Sequence, residues 1–279
     1  MTTKNIKHDH NFKNLLIDFP KNSLEFIYPE AIQEFGEIES ITFIRQEPKK
    51  HHLSDSSLAL DMPILFEFKN HKLLLWLVEF QEDKGKFSIY KLMRYTTDLM
   101  ELHPEAIVVP AVIFTDRKKW RKDVLKKLES KLGEETFVHF KYVFCKLFDY
   151  NASDYYNVDN PVVKILLPKM NYPPSERFNV IKHAYTGLYQ LATKKLFSKY
   201  ISFIDIYAEV TPKEQNEMCQ QLIKSKETVM LAEYIKDIGR KEGEKEGRKE
   251  EGYTMTNNFV KNAAEMGIPE ETIAKILKI

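Results

Sequence analysis

Cysteine is nearly missing: Cys145 and Cys219 are the two in 279 residues. They stand far apart in no metal-type spacing, which excludes a disulfide-built secreted scaffold and predicts reduced thiols in a cytoplasmic protein. A surplus of either charge is missing too. With 42 Lys+Arg against 41 Asp+Glu the net charge is +1, so the chain is no globally basic nucleic-acid binder, and any DNA contact has to come from locally segregated charge. No apolar run approaches the ~18 residues a bilayer span needs. The polar start Met1-Thr2-Thr3-Lys4-Asn5 offers no signal-peptide core, so no membrane partner is expected.

Present instead are 43% hydrophobic and 30% charged residues, enough apolar surface for a real core. The length suits one medium domain plus an appendage or two small domains. Phe12, Leu15, Leu16 and Phe19 have helical spacing, with Asp9 or Asn11 suited to cap and Pro20 to end the helix. Residues 23–35 read as a second helix interrupted at Pro29, and the β-branched residues Ile38, Ile41, Thr42 and Ile44 as a strand.

Residues 58–68 alternate, with Leu60, Met62, Ile64, Phe66 and Phe68 on one face and Asp61, Pro63, Leu65 and Glu67 on the other. A polar turn, Lys69 to Lys72, predicts a hairpin to residues 73–81, which are apolar almost throughout until Glu79 and Gln81. Such a run fits a strand buried on both faces. Lys84-Gly85 then opens a helix with an apolar stripe of Ile89, Leu92, Met93, Thr96 and Met100. A buried strand follows over 106–115, then a helix capped by Asp116 that turns Trp120, Val124, Leu128 and Leu132 inward, then one strand over 139–150.

The predicted fold class is α/β, a mixed central sheet flanked by helices with a C-terminal helical extension. The predicted organisation is a core over 1–160, a helical extension over 161–238, a charged linker over 239–252 and a small helical segment over 253–279. The linker repeats a tetrad three times from Gly239, Gly243 and Gly247. Each Gly weakens a helix by about 1 kcal/mol and like charges stack at i, i+4. It reads as a solvated spacer, and the C-terminal helical region as a place for homo-oligomer contacts.

Glu79 and Gln81 are two residues apart on a strand and project from one face. Asp61, about eight residues before the hairpin turn, and Glu79, about seven after it, come close to cross-strand partners. Taken alone, Asp61 is a strand-end Asp ahead of Pro63, and Glu79 and Gln81 are a polar strand end. Taken together, neighbouring carboxylates call for a divalent cation, and oxygen ligands favour Mg²⁺, Mn²⁺ or Ca²⁺ over Zn²⁺. Such an ion suits phosphodiester hydrolysis.

These residues, Leu60-Asp61-Met62-Pro63 through Val78-Glu79-Phe80-Gln81 and then Lys91-Leu92-Met93-Arg94-Tyr95, resemble the PD-(D/E)XK nuclease superfamily. More narrowly they resemble the Rpn group of recombination-promoting nucleases, also labelled transposases. His8-Asp9 with Phe12-Lys13, the strand ending Phe114-Thr115 and the Gly-punctuated tail match that group's habits. The resemblance covers about the first half of the chain plus the style of the tail.

The resemblance implies a restriction-endonuclease-like core and a cytoplasmic, metal-dependent DNA endonuclease linked to recombination or mobile elements. Asp61 and Glu79 would be its metal ligands. Gln81 stands where the superfamily has Lys, a departure, since a neutral amide orients water or phosphate but supplies no charge. Lys91 is the candidate replacement cation, and Arg94 and Tyr95 would lie near the phosphate path. Seven cations against two anions over 117–129 add Lys118, Lys119, Arg121 and Lys122 as candidate DNA contacts, where the plain alternative is a solvated helix face. The Gln81 departure keeps a rival open: a catalytically inactive DNA- or protein-binding module on the same fold. A structural adaptor acting through its tail helices is a third.

Overall fold

The computed structural model describes residues 8–44, 63–115, 123–222, 228–241 and 243. Contacts divide the chain into two compact units, Met1–Thr211 and Pro212–Ile279.

The first unit opens with α1 (His8–Asp18), α2 (Pro20–Ile27) and α3 (Glu30–Phe35). Asp9 and Asn11 both lie inside α1, so neither is its N-cap; Asn11 instead reaches the Tyr207 hydroxyl at 3.4 Å. Pro20 ends one helix by opening the next, in the first turn where its missing N–H costs nothing.

Strands β1 (Ile38–Phe43), β2 (Ile64–Phe68) and β3 (Leu73–Gln81) form an antiparallel meander. The turn between β2 and β3 places His71 at φ 61°. After α4 (Ile89–Leu102), β4 (Ile107–Phe114) runs parallel to β3, and β7 (Val143–Lys146) runs parallel to β4. The result is a mixed five-stranded sheet in the order β1-β2-β3-β4-β7, flanked by helices.

The near-continuous apolar run of β3 follows from its central position. Its Leu74, Trp76, Val78 and Phe80 point with Ile64 and Phe66 to one face, where Phe12 of α1 packs its ring, tilted, against Phe80 at 4.8 Å between centroids. Leu75 and Leu77 point to the other face, into a cluster with Ile89, Leu92 and Leu99 of α4, Val112, Phe114 and Tyr142. α4 begins at Ile89, after a 3₁₀ turn over Lys84–Lys86. Its inward stripe continues through Leu99, while Met100 is 54% exposed, a correction of one residue that the 3.6-residue period favours.

The helix expected over 116–132 is corrected where it is described. Residues 116–122 lie outside the described residues. Residues 123–126 are irregular, and Lys127–Leu132 form β5, paired antiparallel with β6 (Glu135–Lys141). Val124, Leu128 and Leu132 satisfy a helical spacing, but Gly133 adopts φ 62° at the first position of a two-residue turn, the backbone of a tight hairpin. Leu132 is accordingly 74% exposed. The strand expected over 139–150 divides at Tyr142: β6 belongs to the hairpin, β7 to the central sheet.

β7 pairs with β4 from Ala111 to Phe114 only, beginning just after Pro110, which has no N–H to give. Beside the uncovered half of β4 lies an open cavity of about 470 Å³ lined by Tyr28, Glu30, Val109, Lys141 and Tyr142.

Beyond the sheet come α5 (Pro161–Leu166), α6 (Arg177–Leu191) and α7 (Lys194–Ala208). The second unit contains α8 (Pro212–Leu222) and a helical stretch over 229–241 that takes in Gly239, Arg240 and Lys241 of the first tetrad, where Asp237 pairs with Arg240 and Lys241. Beyond Lys241 only Gly243 of the repeat is described; the rest of it and the 253–279 segment lie outside the described residues. No helix of the described residues is long and apolar enough to cross a membrane.

Candidate functional site

Glu79 and Gln81 sit on the α4 side of the sheet at the carboxyl end of β3. The parallel register places each in a row across three strands: Glu79, Val112 and Phe144 in one, Gln81, Phe114 and Lys146 in the next. Carboxyl ends of parallel strands are where open α/β sheets bind ligands. Glu79 is half-buried.

Gln81 is 8% exposed and already engaged. Its carbonyl accepts the Thr115 N–H at 3.1 Å, and its side-chain amide donates to the Asp83 carbonyl. Asp83 in turn accepts the Gly85 N–H at 2.9 Å, fixing the turn into α4. One of the two donors of the Gln81 amide is thus spent on the backbone.

Tyr142 stands between this site and residues 123–126. Its hydroxyl donates to the Leu125 carbonyl at 2.9 Å. Burial raises the phenol's pKa well above its ordinary value, and the negative charges of Asp123 and Glu79 raise it further, so Tyr142 stays protonated. Asp123 feels opposing influences: burial pushes its carboxyl up, while the Lys126 hydrogen bond, Lys146 and the Val124 N–H bring it below the usual range. Lys126 Nζ is 3.2 Å and Lys146 Nζ 4.0 Å from that carboxylate. Lys146 also approaches Asp149 at 3.8 Å and packs its ammonium near the Phe144 and Phe148 rings. Sequence reasoning missed Tyr142, Asp123 and Lys146 as neighbours of the site. The Tyr142–Phe144–Lys146 alternation was legible, but assigning it to the face of Glu79 needed the parallel register.

On α4, Lys91 and Tyr95 are half-buried neighbours one turn apart, with Lys91 Nζ 5.6 Å from the Tyr95 ring centroid. Arg94 is exposed. Asp61, Lys118, Lys119, Arg121 and Lys122 lie outside the described residues.

A separate cluster combines Glu39, Glu67 and His71, whose ligand atoms lie within 4.8 Å of one another, with Ser40 donating to Glu67 at 3.0 Å. Glu67 pairs with Leu73, six residues before Glu79 along β3, or about 20 Å at the rise of a strand. This cluster is therefore remote from Glu79.

No family of known proteins, no curated protein and no solved structure matches the chain.

Proposed function

We propose that the chain is a metal-dependent DNA endonuclease with a restriction-endonuclease-like core, hydrolysing phosphodiester bonds in recombination or in the movement of mobile elements. The observation that carries this reading is the position of Glu79: a half-buried carboxylate at the carboxyl end of the third strand of an antiparallel meander, followed by a helix and a parallel strand. The resemblance likewise sets Glu79 and Gln81 ahead of the segment that carries Lys91, Arg94 and Tyr95 and of the strand ending Phe114-Thr115. Counted along the sequence alone, Asp61 stands about eight residues before the hairpin turn and Glu79 about seven after it.

Asp61 and Glu79 are the residues that would hold the ion, and their oxygen-only donor set fits Mg²⁺, with Mn²⁺ or Ca²⁺ as alternatives. Bound there, such an ion would polarise the phosphate and lower the pKa of a water. Gln81 would orient that water through hydrogen bonds, its own position fixed by Asp83. Lys91 would bring positive charge to the developing phosphorane, and Arg94 and Tyr95, with Lys118, Lys119, Arg121 and Lys122, would contact the DNA backbone.

The commitment of Gln81 to Asp83 favours the second reading, a module that binds DNA or protein on this fold without cutting. Supercoiled plasmid separates the two. The nuclease nicks it with Mg²⁺ or Mn²⁺, does not with EDTA, and falls to background in Glu79→Gln and Asp61→Asn. Nicking that survives Glu79→Gln removes the site from the chemistry. Plasmid retention in every metal without nicking assigns the inactive module.

A further inference from the structure

The β5–β6 hairpin has two unlike faces. Leu128, Val138 and Phe140 are half-buried on one, with Leu128 and Phe140 against the core cluster beneath α4. By alternation the other face carries Lys127, Glu129, Lys131, His139 and Lys141, with Lys127 opposite Lys141 and Glu129 opposite His139.

This outward face is unlike an ordinary solvated surface in two respects. Its single carboxylate lies lowest: the Glu129 side chain is 23% exposed, while those of Lys127, Lys131 and His139 are 50% exposed or more. Glu129 is shared among three partners, Lys127 at 2.9 Å, His139 at 3.0 Å and Lys131 at 3.5 Å, so the lysines of this face outnumber its one carboxylate. Second, Lys127 and Lys141 are direct cross-strand partners. Like charges placed so oppose the pairing of the strands, a cost the fold gains nothing from. Among the described residues Lys141 has no ion-pair partner. Glu134 and Glu135 stand at the turn end of the ribbon, so the positive region lies along the body of the hairpin.

We propose that this face binds the phosphate backbone of a nucleic-acid duplex, with Lys127, Lys131 and Lys141 as the contacts; the choice of duplex as partner rests on the nuclease reading. The charge is complementary, and a two-stranded ribbon is one of the element shapes that the major groove of DNA admits. Lysines on phosphates position a duplex without reading its sequence.

The test is binding of a fluorescein-labelled 20-bp duplex to the full chain by anisotropy, in EDTA, between 50 and 200 mM NaCl. Removing one lysine that neutralises a phosphate lowers the slope of log K against log salt by about 0.9. The Lys127→Gln/Lys131→Gln/Lys141→Gln variant is expected to bind about tenfold or more weakly with a slope reduced by about 2–3, whereas the triple Lys→Arg variant keeps both affinity and slope. An equal charge reduction at Lys72, Lys194 and Lys195 provides the comparison. If both Gln triples weaken binding alike, or if the wild type does not bind the duplex, the assignment is overturned. It is overturned equally if the ribbon lysines govern binding to phosphatidylserine vesicles and not to the duplex. Ribbon-dependent binding without metal-dependent nicking removes the nuclease reading and leaves the ribbon surface standing. Glu79-dependent nicking with unchanged binding by the ribbon variant does the reverse.

Discussion

Asn160 reaches Asn22 across 138 residues of chain: its side-chain amide donates to the Asn22 carbonyl at 2.9 Å, tying the start of α5 to α2. The same side chain accepts the N–H groups of Val162 at 2.9 Å and Val163 at 3.4 Å, capping α5, with Pro161 in the first helical position. Asn160 is 6% exposed and α5 is buried throughout, so water has little access to replace these bonds. Replacing a capping residue with Ala costs about 0.5–2 kcal/mol, and the hydrogen bond to the Asn22 carbonyl, which keeps its own helix bond, contributes about 0.5–1.5 kcal/mol. Asn160→Ala is expected to lose about 1–3 kcal/mol in urea unfolding. Asn160→Asp keeps the cap acceptor and should lose less. A loss under about 0.5 kcal/mol for the Ala variant would show that the cap is not a stabilising tie.

Gly187 sits where α6 crosses the buried side chain of Lys164. A Cβ on residue 187 would come within 2.5 Å of Lys164 Cε, 2.6 Å of Cδ and 2.8 Å of Cγ. Ala is the better helix former by about 1 kcal/mol, but overpacking costs about 1–3 kcal/mol. Lys164 cannot swing aside, being 4% exposed with its ammonium donating to the Tyr156 carbonyl. Gly187→Ala is therefore expected to destabilise, and to do so much less in a Lys164→Ala background. Additive losses in that double-mutant cycle would refute the contact.

Burial pushes the Cys145 thiol up to about 12, against a smaller opposing effect of its hydrogen bond to the Tyr150 hydroxyl. The native thiol is protonated at neutral pH and should resist iodoacetamide until the chain unfolds. The sign follows: an acid with a raised folded-state pKa binds its proton more tightly in the native state. Stability contributed at Cys145 is present below about pH 8.5 and declines between there and about 12. Native-state labelling as fast as in urea would contradict this.

The Glu129 carboxyl is held down to about 2, first by the hydrogen bond from Lys127, then, after an opposing contribution from desolvation, by His139 and the charges of Lys127 and Lys131. A carboxylate depressed in the folded state stabilises above its unfolded pKa, near 4.3. That contribution is lost as pH falls through about 2. Protection of the hairpin amides against exchange should hold down to about pH 4 and fall below it, whereas Glu129→Gln should be less protected already at about pH 5 and lack that transition. A hairpin equally protected in both proteins at pH 5 would show that Glu129 does not hold it.

The meander, α4 and β4 were legible because their patterns are strong: alternation over 64–68, an unbroken apolar run in 73–78, and a helical stripe from Ile89. Glu79 and Gln81 stood out as the only polar residues of that strand. The hairpin was not legible, since Val124, Leu128 and Leu132 satisfy a helical period while Leu128 and Phe140 find each other only through Gly133. Nor was the setting of Lys146. A parallel strand two places along in the sheet order leaves no local trace, and the row from Gln81 through Phe114 to Lys146 is fixed by tertiary pairing alone.

Pro110 has a consequence for how the protein behaves in company. An outer strand with vacant backbone donors is a template on which neighbouring molecules can stack into fibrils. Where β7 stops covering β4, the chain places an imino acid that cannot continue such a ladder. The same residue that shortens the sheet makes its bare rim a gatekeeper against self-assembly.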